Sequence, residues 1–223
     1  MNIHPIAYFR SPFPTKFGIP KQSGLVESLE GIIVFEPAYR SADALVGIEG
    51  FDYLWLLWQF SANPHPAESL MVRPPVLGGN EKVGVFASRS PFRPNAIGLS
   101  SVRLQRIEWD TPEGPVIHVL GADLMDGTPI FDIKPYIPFA DCHPEARSGY
   151  TGLKKIRRLE VLIPDDLLAK LAPEKVETLR KVLSLDPRPA VQDSADKVYG
   201  MPFEAWDIRF KVDDQLLTVV EIE

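Results

Sequence analysis

The first two thirds of the chain are built from short runs in which apolar residues either alternate with polar ones or follow one another without a break. Ile3 to Phe9 reads as a first strand, and Gly31 to Phe35 is a second, β-branched run. Leu54 to Phe60 is continuously apolar and aromatic, as a buried strand should be. Lys82 to Ala87 predicts another strand, and Ile97 to Ile107 sets Val102, Leu104 and Ile107 against Arg103, Gln105 and Arg106. Asp110 to Gly114 has the proline and glycine of a turn, and Val116 to Leu124 returns as the next strand. Only Tyr39 to Val46 predicts a helix here, a short one. Strands joined by short polar turns favour an antiparallel barrel or sandwich over alternating βα units.

The pattern changes after Tyr150. From Pro164 to Ser184 the apolar residues Leu167, Leu171, Val176, Leu179 and Leu183 recur at helical spacing, and Pro173 divides the segment into two helices. Ile208 to Val212 and Leu216 to Ile222 then read as two strands around the Asp213-Asp214 turn. The expected organisation is a mainly β domain over residues 1–150 and a small α+β domain over residues 151–223.

Composition sharpens this picture in two places. Proline occurs 22 times in 223 residues, roughly twice the usual ~5%, which favours strands and rigid loops over long helices. The net charge of -6 is the wrong sign for a generic nucleic-acid binder. Yet between Arg73 and Arg106 six basic residues face Glu81 alone, and Lys154, Lys155, Arg157 and Arg158 form a second basic cluster. Such patches hold phosphates on acidic proteins, although solvated faces also look like this. One cysteine, Cys142, rules out an internal disulfide. The N-terminus lacks the basic-then-apolar signature of a signal peptide, and the most apolar stretch is too short to span a bilayer, so a cytoplasmic location without membrane association is expected.

Familiar catalytic signatures are missing. There is no phosphate loop, no G-x-G-x-x-G after a strand and no nucleophile elbow. His4, His65, His118 and His143 are scattered, so no metal site is expected, and the adjacent Cys142 and His143 do not converge as a nucleophile and its base must. Two segments remain. Gly84 to Gly98 runs from a strand into a proline-stiffened loop that holds Arg89 and Arg93, which suits recognition of an anion or a nucleobase. Asp123 to Pro138 puts Asp123 and Asp126 at a strand end, then Asp132, Lys134 and Tyr136 on one face of an alternating strand. Asp126-Gly127 is also what an ordinary turn looks like, and Asp132 and Lys134 are placed to pair.

In these segments the sequence resembles the TsaA-like/TrmO (YaeB) family of tRNA N6-threonylcarbamoyladenosine methyltransferases. The matching stretches are FGIPKQSGL (17–25), VRPPVLGGN (72–80), GVFASRSPFRPNAIGLS (84–100), DLMDGTPIFDIKPYIPFAD (123–141) and DPRPA (186–190), which together run through nearly the whole chain. The resemblance implies a compact antiparallel β-barrel that binds S-adenosylmethionine at a homodimer interface and methylates threonylcarbamoyladenosine next to the tRNA anticodon. It implies a cofactor site made of Gln22, Ser23, Gly24, Phe60, Ser61, Arg89 and Leu99 with the turn Asp123, Leu124, Met125 and Asp126. The family pattern has a histidine where this chain carries Ser61. The proton acceptor is left open among carboxylate, tyrosine and lysine, with Arg89, Asp126, Lys134 and Tyr136 as catalytic candidates. Arg93, Arg188, Lys154, Lys155, Arg157 and Arg158 are the candidates for holding tRNA. Two other classes compete: a non-catalytic RNA-binding module responsive to S-adenosylmethionine, and a metal-dependent hydrolase using Asp123, Asp126 and Asp132.

Overall fold

A computed structural model of the protein describes residues 2–63, 69–153, 157–188 and 197–223. Its first eight strands are β1 (Ala7–Arg10), β2 (Glu30–Phe35), β3 (Tyr53–Gln59), β4 (Met71–Val72), β5 (Val83–Gly84), β6 (Ile97–Glu108), β7 (Val116–Leu120) and β8 (Thr128–Pro135). Six of them close into an antiparallel barrel in the order β1-β2-β7-β6-β3-β8, and β4 and β5 form a separate two-stranded ribbon. Closure leaves no unpaired strand edge.

Alternation decides which residues fill the barrel. Leu54, Leu56 and Trp58 of β3 point inward with Val102 of β6, Ile117 and Val119 of β7 and Ile130 of β8. The outward set on β3 is Tyr53, Trp55, Leu57 and Gln59. In β6 the apolar period slips between Leu104 and Ile107, and the register shifts there: Leu104 faces Val119 and Arg106 faces His118. An extra residue in one strand restores the inward direction of Ile107. The core is tight around Phe9, whose ring lies where a Cβ on Gly31 would stand. Gly31→Ala should therefore cost about 1–3 kcal/mol of stability by forcing that ring aside, read as a lower urea midpoint at constant slope.

Four expectations change in detail. Strand β1 begins at Ala7, and Ile3 is exposed. Tyr39 to Val46 is not one helix: Pro37–Tyr39 and Ala42–Leu45 are separate 3-10 turns, because the Ser41 side chain accepts from the Asp43 amide and starts a new turn. The strand expected over Lys82 to Ala87 shrinks to β5, whose partner is only two residues long, and Val85–Ala87 coils into a 3-10 turn. Strand β7 stops at Leu120, where the backbone reverses at Gly121 (φ 78°).

A short helix α1 (Pro138–Asp141) follows the barrel. Beyond it lie β9 (Glu160–Leu162), α2 (Asp165–Leu168), α3 (Pro173–Ser184), β10 (Tyr199–Phe203), β11 (Trp206–Asp213) and β12 (Leu216–Ile222). Pro173 opens α3 at its first turn, where a missing N–H costs nothing. The second sheet has the order β10-β11-β12-β9, antiparallel except for the β12–β9 pair. Leu179, Val182 and Leu183 of α3 are buried in the cluster that includes Ile208, Phe210, Leu217 and Val219 of that sheet, and Thr178 on the same helix is buried as well. This cluster also takes in Phe13, Val26 and Leu29, which belong to the long loop between β1 and β2. Among the described residues no helix is long and apolar enough to cross a membrane.

Candidate active site

A cavity of about 550 Å³ opens at one mouth of the barrel. Its walls come from four places: the loop between β1 and β2, the end of β3, the proline-stiffened loop 88–93 with the start of β6, and the link from β7 to β8 through Asp123, Met125 and Thr128. Barrel closure puts these segments side by side, since β3 pairs with β6 on one edge and β8 on the other. Lys16, Lys21, Arg89 and Arg93 all line the cavity, and Asp123 is the carboxylate among them.

The polar centre is a relay. The Trp58 indole N–H donates to Ser100 Oγ (3.0 Å), and the Ser100 hydroxyl donates to Asp123 Oδ1 (2.5 Å). Ser100 occupies an inward position on β6 and is 1% exposed, so its hydroxyl is satisfied only through these two partners. Burial pushes the Asp123 carboxyl above its ordinary range; the Ser100 hydroxyl, backbone donors that include Ser23, and the charge of Arg89 hold it partly back. Arg89 in turn donates to Gln22 Oε1 (2.5 Å) and so ties loop 88–93 to the β1–β2 loop. Arg93 braces its own loop by donating to the carbonyls of Ser88 (3.1 Å) and Ser90 (3.3 Å).

Seven of the residues expected at the cofactor meet around this cavity: Gln22, Phe60, Ser61, Arg89, Leu99, Asp123 and Met125. Ser23 and Gly24 do not line it: the Ser23 backbone hydrogen-bonds to Asp123, and the Gly24 amide donates to the Gly121 carbonyl (2.8 Å). Leu124 turns into the barrel core. Asp126 faces a smaller cavity of about 300 Å³ beside Arg10 and accepts from the Ser11 amide (3.0 Å). Lys134 is paired with Asp132 at 3.0 Å. Tyr136 packs against Tyr53 and Trp55 away from the cavity, and desolvation, then Cys142 and Asp141, push its hydroxyl above the usual tyrosine range. Neither Lys134 nor Tyr136 lines the cavity. Asp123, Asp126 and Asp132 thus point to three different surroundings, and among the described residues no trio of His, Cys, Asp or Glu gathers as a metal site.

The cations expected to hold tRNA mostly have partners within the chain. Arg188 makes a two-pronged contact with Asp186 (2.8 and 2.9 Å) and its side chain is only 10% exposed. Arg157 faces Asp214 at 3.3 Å, and Arg158 donates to the Leu25 carbonyl (3.0 Å) and Ser184 Oγ (3.1 Å). Lys154 and Lys155, with His65 and Pro189, lie outside the described residues. Trp58 and Ser100 were not legible as site residues, because an aromatic in an apolar strand and a serine in an alternating one read as core and surface.

A closed antiparallel barrel with a cation-lined cavity at its mouth is suited to an anionic ligand, and no βαβ nucleotide site occurs among the described residues. Residues 8–142 match the family model for the tRNA-methyltransferase O N-terminal domain, and residues 157–223 match that for the TrmO C-terminal domain. The tRNA (adenine(37)-N6)-methyltransferase of Escherichia coli (strain K12) is 38% identical over 227 residues, 98% of this chain and 96% of that one. RcsF of Pseudomonas aeruginosa, named for S-adenosylmethionine-dependent methyl transfer, is 36% identical over 93% of this chain and 90% of its own. A crystal structure of TrmO from Pseudomonas aeruginosa superposes with a TM-score of 0.81 at 30% identity, covering all of this chain and 96% of that one. The chain belongs to the TrmO family.

Proposed function

We propose that this chain transfers a methyl group from S-adenosylmethionine to N6 of the adenine at position 37 of tRNA, beside the anticodon, and that it takes this adenine in its threonylcarbamoylated form. The observation that carries the reading is the convergence of Gln22, Arg89 and Asp123 on one cavity, in a chain related over nearly its whole length to an enzyme named for that reaction. The residues present fit the cofactor. A cavity of this size takes a ligand of nucleoside dimensions. Phe60 and Leu99 offer apolar walls for an adenine, Arg89 and Gln22 suit a carboxylate, and Asp123 suits a cation.

When bound, S-adenosylmethionine supplies an electrophilic methyl group on a positively charged sulfur. The chain supplies position and charge. Arg89, fixed by Gln22 and by its stiff loop, orients an anionic group without reorganising. Asp123 stands at the floor of the cavity with its carboxylate steadied by Ser100. Burial makes it more basic than an ordinary aspartate, so it is the group suited to take the proton that N6 releases. The surplus of lysine and arginine over carboxylate around the cavity favours a polyanionic acceptor.

The functional chain is a cytoplasmic homodimer. The outer face of β3 and β6 beside the cavity carries Leu57, Ile97 and Leu99, and Leu99 is 52% exposed although it lines the site, as expected of a residue that a second copy covers. Residues 1–150 carry the chemistry, and residues 151–223 contact tRNA through Lys154, Lys155 and Arg157, joined by Arg93, while Arg158 is engaged with Leu25 and Ser184. The test is transfer of labelled methyl to tRNA with and without the threonylcarbamoyl group, in the presence of a chelator. Label is expected in the modified tRNA. Cofactor binding without transfer would leave a binding module, and equal label in both tRNAs would remove the proposed acceptor.

A further inference from the structure

The β1–β2 loop is held between two bodies. On the barrel side the Gly24 amide donates to the Gly121 carbonyl and the Asp126 amide to the Phe13 carbonyl, each at 2.8 Å. On the other side the loop is embedded in the C-terminal domain. Phe13 is fully buried, with its ring edge-on to Phe203 at 5.5 Å, and Val26 and Leu29 belong to the same core. The Glu204 amide donates to the Pro12 carbonyl (2.7 Å), and Met201 lies where a Cβ on Gly18 would stand, so the backbone at Gly18 rests directly on strand β10. The polar contacts continue along the loop. Arg158 donates to the Leu25 carbonyl, the Thr178 hydroxyl to Ser28 Oγ (2.8 Å), and Lys175 bridges Glu30 and Glu204 at 2.9 Å each. Between these anchor points lie Lys16, Lys21 and Gln22, which face the cavity.

We infer that the C-terminal domain is part of the cofactor site: it moulds the loop that presents Gln22 to Arg89, with Arg158 and Thr178 as positioning residues. The inference rests on the reading of this cavity as the S-adenosylmethionine site. Its physical basis is that a loop of nearly twenty residues has no ladder of its own, and the backbone entropy it would otherwise keep is removed by contacts on both sides. Withdrawing one set lets residues 16–25 sample other shapes, and the fraction of molecules competent to bind falls with it. A role for Arg158 as a phosphate contact makes the opposite demand, because it affects tRNA and leaves the cofactor alone.

The experiment uses the full chain with Arg158→Met, Thr178→Val and the two combined. Thr178→Val replaces the hydroxyl with a methyl group at nearly constant volume and so removes the bond to Ser28, which makes it the variant to use if the arginine variant folds poorly. Hydrogen exchange reads the Gly24 amide, and calorimetry reads the affinity for S-adenosylhomocysteine without tRNA. Exchange at Gly24 is expected to accelerate, each single change to weaken the probe by about threefold to tenfold, and the apparent KM for S-adenosylmethionine to rise more than kcat falls. Affinity for tRNA and its salt dependence should stay as in the parent chain. Unaltered exchange and probe affinity, or a loss confined to tRNA affinity, would overturn the inference while leaving the cavity's assignment standing. A parent chain that takes up no probe would instead remove the cofactor reading, and this inference with it.

Discussion

Replacing Arg89 with alanine is expected to lower methyl transfer by roughly 100-fold or more while the protein stays folded. The guanidinium holds Gln22 across the cavity and sets a positive charge against Asp123. Its loss releases the link between two loops and removes an anion-binding fork together. Arg89→Lys should recover only a small part, since an ammonium cannot span two partners in one plane. The residue is exposed and away from both hydrophobic cores, so the unfolding midpoint should move little. Steady-state rates with both substrates saturating, beside a thermal melt, check this; near-normal turnover in either variant would remove Arg89 from the site.

Asp123→Asn should separate activity from stability. Turnover is expected to fall roughly 100-fold, the scale of a lost general base. Stability should move the other way. Burial raises the folded-state pKa of Asp123 above its unfolded value, so the folded chain binds this proton more tightly than the unfolded chain does. The favourable contribution of the neutral form is fully present below the unfolded pKa and is lost as pH rises through the folded pKa. At neutral pH the parent chain therefore carries a partly desolvated charge that the amide does not, while the substituted side chain still offers an oxygen to the Ser100 hydroxyl. The variant should melt higher than the parent near neutrality, and the difference should vanish in acid. A variant that melts lower at every pH would show that the carboxylate is net stabilising.

Much of the barrel can be read from side-chain period alone. The segments around Leu54, Val102 and Val119 each place one face inside, and a one-residue slip would expose the whole set. Strand β10 escaped such reading because Gly200 and Pro202 look like breakers; Pro202 is tolerated because β10 lies at the edge of its sheet. Strand β9, at three residues, is too short to show a period. Arg89, Arg93 and Asp123 stood out by the chemistry of their segments, whereas Gln22, Phe60, Ser61 and Leu99 were candidates only through family motifs. Gln22, Arg89 and Asp123 are far apart in the chain, and only closure of the barrel brings them together. Leu124 and Asp126 show the limit of carrying over a contiguous motif: adjacent side chains alternate, so a run that touches the cavity at Asp123 and Met125 sends Leu124 into the core.

The shared core of the C-terminal domain bears on how the chain is born. Phe13, Val26 and Leu29 are made before strands β2 to β8, yet the surfaces that cover them, Phe203 and the strands around it, leave the ribosome only after those strands. The barrel strands can pair as they emerge, but the loop between β1 and β2 must keep its apolar residues waiting until the C-terminal domain has followed. Sequence-distant contacts of this kind slow folding and leave apolar surface open to aggregation in the interval. A fragment ending before α2 would expose Phe13 permanently, and residues 157–223 made alone would lack three of their own core side chains. The order of the two halves in the chain thus makes the second half the chaperone of a segment in the first.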